Sequence, residues 1–143
     1  MIRTCVRCSQ KLRVRPVNIA DTIRCPRCKT VLGPATEPIE ADAAFFDEVA
    51  RTARVPVLVD FWAAWCGPCR IAEPEVARVA TMMAGKAVVL KVNTEAYPEI
   101  AARFGVQGIP NFVVIKAGRA VFQKAGVTPA DEMARWLADA ANS

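Results

Sequence analysis

Six cysteines in three Cys-x-x-Cys pairs, and no histidine, define the chemistry open to this 143-residue chain. Cys5/Cys8 and Cys25/Cys28 are separated by sixteen residues, and Cys66/Cys69 stands apart. Two such pairs at that separation form the pattern of a zinc ribbon, in which each knuckle presents two sulfurs to one ion. Zinc is the first reading, iron in the same sulfur cage the second, and disulfides the third. Four thiolates leave no open position for water, so the ion is structural in this reading. Oxidant-driven release of the ion is the alternative. Arg7, Arg24, Arg27 and Lys29 lie close in sequence to offset the thiolate charge. The lack of histidine excludes Ser-His and Cys-His catalysis and every imidazole metal site.

The third pair, Trp65-Cys66-Gly67-Pro68-Cys69, falls where an apolar strand gives way to a helix. A cysteine at a helix N-terminus faces unpaired N–H groups and the positive end of the helix dipole, which favours thiolate. Cys66 is therefore the expected nucleophile. Cys69, one helical turn on, lies within disulfide range and is expected to be the more buried, suiting it to resolve a mixed disulfide. The competing reading makes this pair half of a metal site. Asp60 sits in the apolar run Val57-Leu58-Val59-Asp60-Phe61-Trp62. A buried carboxyl there would have a raised pKa and could accept the Cys69 proton. An outward-facing, solvated Asp60 is the alternative.

These residues need elements to place them. Residues 1–33 hold no Phe, Tyr or Trp and too little apolar volume to fold without a staple. Residues 34–38, rich in Pro, read as a linker, with a second domain over 39–143. There Asp42 caps a helix over 43–52, 55–61 is a buried strand, and a helix with Pro74 inside it runs over 66–83. A strand over 87–92 and a short helix over 97–104 follow. Strands 111–115 and 120–124 form a hairpin around Lys116-Ala117-Gly118-Arg119. The last helix starts at Thr128, with Pro129 first, Asp131 completing the cap, and Met133, Trp136, Leu137 and Ala140 on its apolar face. The order gives an α/β fold with strands 55–61 and 87–92 parallel. No internal repeat is evident beyond the three cysteine pairs.

Composition narrows the function classes. Apolar residues make up 53% of the chain, enough for a core. Residues 1–33 carry eight Lys or Arg against one acid, Asp21, whereas 34–143 carry eleven against thirteen. That basic segment permits phosphate contact, but its lack of aromatics removes base-stacking platforms, so nucleic acid is not the expected partner. No apolar run approaches membrane-spanning length, and Met1 to Cys5 does not open a signal peptide. A cytoplasmic protein is expected, whose cysteines bind metal or do redox chemistry.

The segment VLVDFWAAWCGPCR (57–70), Pro74 and Gly108-Ile109-Pro110 closely resemble the thioredoxin family over about residues 38–143. With the four N-terminal cysteines, the match extends to the bacterial subgroup with a zinc-binding extension, often called thioredoxin 2. The resemblance implies a thioredoxin fold, a central mixed sheet flanked by helices, with a small zinc-ribbon-like module in front. It implies a cis Ile109-Pro110 bond facing the cysteine pair, and a substrate groove of Trp65, Gly67, Pro68, Ile109, Pro110 and Gly126. It places Lys91 near Asp60 as a tuning residue; a strand-end surface lysine is the alternative. It further implies a monomeric protein-disulfide reductase in electron transport, recharged by an NADPH-dependent thioredoxin reductase and acting on disulfide-containing clients. A zinc-ribbon adaptor, or a redox-responsive client-binding protein, is the competing function; an oxidase or isomerase is a third. Two departures stand out. Asn111 replaces a common threonine, with altered substrate contacts as the expected consequence, and only Ile39 is available for the first strand of the fold.

Overall fold

The computed structural model describes residues 1–142. Two small hairpins come first: β1 (Ile2–Thr4) with β2 (Lys11–Arg13), and β3 (Ile23–Arg24) with β4 (Val31–Leu32), separated by a 3-10 turn at Pro16–Asn18. The remaining elements are β5 (Ile39–Glu40), α1 (Ala43–Thr52), β6 (Val57–Trp62), α2 (Gly67–Met82), β7 (Val88–Asn93), α3 (Pro98–Arg103), β8 (Asn111–Lys116), β9 (Arg119–Ala125) and α4 (Ala130–Ala141). They build a five-stranded sheet in the order β5-β7-β6-β8-β9. The β5/β7 and β6/β7 pairs are parallel; β6/β8 and β8/β9 are antiparallel. The expected mixed sheet is present, and Ile39 with Glu40 suffices for the short β5.

Side chains alternate across a strand, so β6 feeds two cores. Val57, Val59 and Phe61 pack with Phe46 and Val49 of α1 and Ile100 of α3. Leu58 faces the other way, with Phe112, against Val76 and Val79 of α2 and Met133 and Leu137 of α4. Asp60 shares the Leu58 face by the same alternation, which directs it beneath α2. The first hairpins have their own small cluster of Cys5, Leu12, Cys25 and Leu32. Ile19, from the stretch between the hairpins, is 2% exposed and belongs to the α1-side core. The Ala35 N–H bonds the Ile19 carbonyl at 3.0 Å, and the Thr81 hydroxyl bonds the Thr36 carbonyl at 3.0 Å.

Three local readings meet the structure differently. Asp42 caps α1 as expected, accepting the Phe45 N–H at 2.8 Å. The β8–β9 turn is just Ala117-Gly118, both in the left-handed region that two-residue hairpins require. The start of α4 is corrected: Pro129 is the N-cap, no local side chain caps it, and Asp131 lies inside the first turn. The cap comes from α2 instead, where Glu75 accepts the Ala130 N–H at 2.9 Å. A local sequence window cannot see a cap supplied from another helix. The statement on repeats is also corrected. Cys5-x-x-Cys8-x-x-x-Leu12 recurs twenty residues later as Cys25-x-x-Cys28-x-x-x-Leu32, and both copies fold as the same knuckle and hairpin. Among the described residues no helix is long and apolar enough to cross a membrane.

Candidate functional site

Cys66 is the N-cap of α2. Its Sγ accepts the Cys69 N–H at 3.2 Å, so a backbone donor of the helix end points at the sulfur. The two cysteines form a disulfide, with Cα atoms 5.3 Å apart. This excludes them as half of a metal site in this state. Burial does not separate them as expected: Cys66 is 3% exposed and Cys69 5%. What separates them is direction. Cys66 Sγ lies 3.6 Å from the Ile109 carbonyl, on the loop that carries the cis Ile109-Pro110 bond. Cys69 lines a cavity of about 250 Å³ on the other side, with Asp60, Trp62, Arg70, Glu73 and Lys91.

The groove side is built around Pro110. Pro110 is buried, and its carbonyl accepts the Gly126 N–H at 2.8 Å; Gly126 has φ +102°, which favours glycine. Gly67 and Pro68 are exposed, as is Trp65, whose indole N–H bonds Glu95 at 2.6 Å. Of the residues named for the groove, Trp65, Gly67 and Pro68 flank the cysteines in sequence, Ile109 packs on them, and Gly126 is tied to Pro110. Asn111 is turned inward. It is 5% exposed, donates to the Gly108 carbonyl at 3.3 Å and accepts from Gln123 at 3.0 Å. These bonds tie the 108–110 loop to β9 through Asn111.

Asp60 is 2% exposed, which excludes the solvated alternative. Burial pushes its carboxyl up to about 7, against the pull of the Lys91 ammonium, and Glu40 and Glu73 add to the rise. Its Oδ1 is buried with no hydrogen-bond partner. Lys91 stands opposite Asp60 in the parallel β6/β7 register. It is no free surface lysine: its Nζ pairs with Glu73 at 3.3 Å and Glu40 at 3.7 Å and sits 4.7 Å from the Trp62 ring centre.

A second constellation lies in the first hairpins. The Sγ atoms of Cys5, Cys8, Cys25 and Cys28 all lie within 4.8 Å of one another. Cys5–Cys28 is 3.7 Å and Cys8–Cys25 3.6 Å. A tetrahedral ion with metal–sulfur bonds near 2.3 Å has sulfur–sulfur edges of about 3.8 Å. The four residues fit a metal ion. All four are free thiols, which sets aside disulfides within this set. The knuckle backbone prepares the ligands. Thr30, by hydroxyl and amide, holds the Cys28 thiol down at about 6, and the Cys28 and Arg27 amides hold Cys25 below its ordinary value, whereas, against the Gln10 backbone, burial and the three neighbouring sulfurs push Cys8 up to about 11.

The thioredoxin family model matches residues 36–139, with the cysteine pair at the head of α2 inside the match. This chain belongs to the thioredoxin family. It is a thiol–disulfide oxidoreductase with the family's disulfide reductase activity and a redox-active Cys66–Cys69 pair. Thioredoxin C-3 of Corynebacterium nephridii is 36% identical over 137 residues, covering 96% of this chain and 93% of its own length, so the alignment runs beyond the thioredoxin domain into the N-terminal segment. Thioredoxin 1 of Chlorobaculum tepidum is 42% identical over 91 residues, covering 64% of this chain and 90% of its own. Among solved structures, a mutant thioredoxin of Halobacterium salinarum superposes with a TM-score of 0.70 at 28% identity, over 77% of this chain and 96% of its own. Thioredoxins generally work with thioredoxin reductase and disulfide-containing clients.

Sequence reasoning missed two carboxylates. Glu73 was legible in principle, being four residues after Cys69 on the same face of α2. Glu40 was not, because only the β5/β7 pairing sets it opposite Lys91.

Proposed function

We propose that Cys66 is the nucleophile, Cys69 the resolving thiol and Asp60 the proton acceptor, in a cytoplasmic reductase of client disulfides recharged by thioredoxin reductase. The Cys66 thiolate attacks one sulfur of a client disulfide; that bond breaks, the first client thiolate leaves, and a Cys66–client disulfide forms. Asp60 then takes the Cys69 proton. The Cys69 thiolate attacks Cys66 Sγ, the second client sulfur leaves and is protonated, and the Cys66–Cys69 disulfide remains. Two electrons and two protons from the reductase reset it. One observation carries this reading: Cys66 caps α2 beside the Ile109 carbonyl, while Cys69 opens onto the cavity that holds Asp60. The exposed edge before Pro110 supports client docking by strand addition, with Trp65, Gly67, Pro68, Ile109 and Gly126 lining the groove. Lys91 tunes Asp60 by its charge.

In the same reading, Cys5, Cys8, Cys25 and Cys28 hold one zinc ion, which supplies folding free energy and no reaction step. A reducing compartment suits both thiol sets. The test is insulin reduction combined with client capture. Wild type reduces insulin catalytically, and Cys69→Ser accumulates a covalent Cys66–client species. Turnover by Cys69→Ser at the wild-type rate would remove Cys69 from the resolving step. Client binding by wild type without insulin reduction would favour the adaptor.

A further inference from the structure

The geometry points to Glu73 and Glu40 as positioning residues for proton transfer: the two carboxylates clamp the Lys91 ammonium and keep it from pairing with Asp60. The inference rests on the reading of Asp60 as proton acceptor. Lys91 has a single positive charge and three candidate carboxylates around it. It pairs with the two exposed ones, Glu73 at 3.3 Å and Glu40 at 3.7 Å, and makes no ion pair with the buried Asp60 among the described residues. The Trp62 ring holds the ammonium from a further side, 4.7 Å from its centre. The side chains of Glu73 and Glu40 are 59% and 56% exposed, so the clamp sits at the boundary between solvent and the buried carboxyl.

The consequence follows from elementary electrostatics. An ammonium paired directly with a buried carboxylate would stabilise its charged form and depress its pKa, making it a poor proton acceptor near neutral pH. Holding the ammonium on the exposed carboxylates weakens that pull, and the two added negative charges act in the same direction. Among the described residues, the charged or titratable groups facing Asp60 come from three elements. On β7 it is Lys91, on β5 Glu40, and on α2 Cys69, Arg70 and Glu73; β8 offers the apolar Phe112 opposite it. Arg70 is engaged elsewhere, donating to the Ala64 carbonyl at 2.9 Å.

The experiment is a carbon-13 carboxyl titration of Asp60 by NMR in the full-length oxidised protein. It is run on wild type, Glu40→Gln/Glu73→Gln, Lys91→Met, and all three substitutions together. Single-turnover client release is measured on the wild type and the double variant between about pH 5 and pH 9. The double variant is expected to lower the Asp60 titration midpoint by about one pH unit or more, because Lys91 is released onto it. The acid limb of the release profile should move with it. In the Lys91→Met background the same two substitutions should shift the midpoint by less than half as much. An unchanged midpoint in the double variant, or an equal shift without Lys91, would overturn the clamp. A lowered midpoint with an unmoved release profile would overturn Asp60 as the acceptor and leave the clamp without a function.

Discussion

Cysteine pairs of one spacing behave in two ways in this molecule, and the backbone that follows each pair is the difference. After Cys8 and Cys28 the next residue turns left-handed, Ser9 at φ 62° and Lys29 at φ 65°. The chain doubles back into a hairpin, and the sulfurs of two knuckles converge. After Cys69 the chain continues along α2 as far as Met82, so two sulfurs meet each other and no others. Spacing brings two thiols together; the next turn decides whether they find a metal or a disulfide. The surroundings differ in the same sense. The knuckles rest on a cluster with two leucines, whereas the redox pair is held by a helix packed on a five-stranded sheet.

If that division is right, damage on one side should spare the other. The largest effect is Cys66→Ser, which should reduce insulin turnover to background while metal content stays at one ion per chain. Loss of metal in that variant would break the comparison. Next comes metal removal by a chelator, or Cys25→Ser. Protection of the two N-terminal hairpins in hydrogen exchange should collapse, because ligation supplies much of their folding free energy, while Ile19 stays in the α1-side core and most of the insulin rate remains. Acid should do the same, since protonated thiols no longer hold the ion.

Asp60 supplies a third test, on stability. Its folded pKa of about 7 lies above the ordinary value, so the folded state binds the proton more tightly than the unfolded chain. Stability is highest below the ordinary carboxyl range and falls as pH rises through about 7. Asp60→Asn should therefore stabilise the protein at alkaline pH by on the order of 3 kcal/mol and change little in acid, as read by denaturant melts. The smallest effect is Glu75→Gln. The Ala130 N–H holds the Glu75 carboxyl below its usual range, so its contribution is present above that range and disappears as pH falls through the lowered value. The variant should lower the melting temperature slightly at neutral pH, less so in acid, with unchanged metal content.

The parts legible in sequence were those decided by short windows. Asp42, the alternation of β6 and the Ala117-Gly118 turn each carry a local signal, and the dense motif around Cys66 placed the redox pair. Resemblance, not spacing, supplied the cis bond at Pro110 and the residues around it. What stayed hidden depended on tertiary neighbours. Glu75 caps a helix fifty-five residues away, Glu40 reaches Lys91 through sheet order, and Asn111 turns inward because Gln123 lies across the β8/β9 pair. The twenty-residue knuckle repeat was visible in the letters, but its flanking residues differ enough to mask it.

With an ion held by the four cysteines as proposed, Ile19 would make that ion a thermodynamic ligand of the reductase. It belongs to the metal-bearing segment by chain position and to the α1-side core by packing. An ion that binds only the folded form stabilises it by mass action, about 2.7 kcal/mol at a hundredfold excess over its dissociation constant. Any unfolding of the module that extracts Ile19 opens the core it shares with Phe46 and Val49, so part of that free energy belongs to the sheet domain. With that ion bound, the melting curve of the reductase would become a gauge of free metal concentration, read through one buried isoleucine.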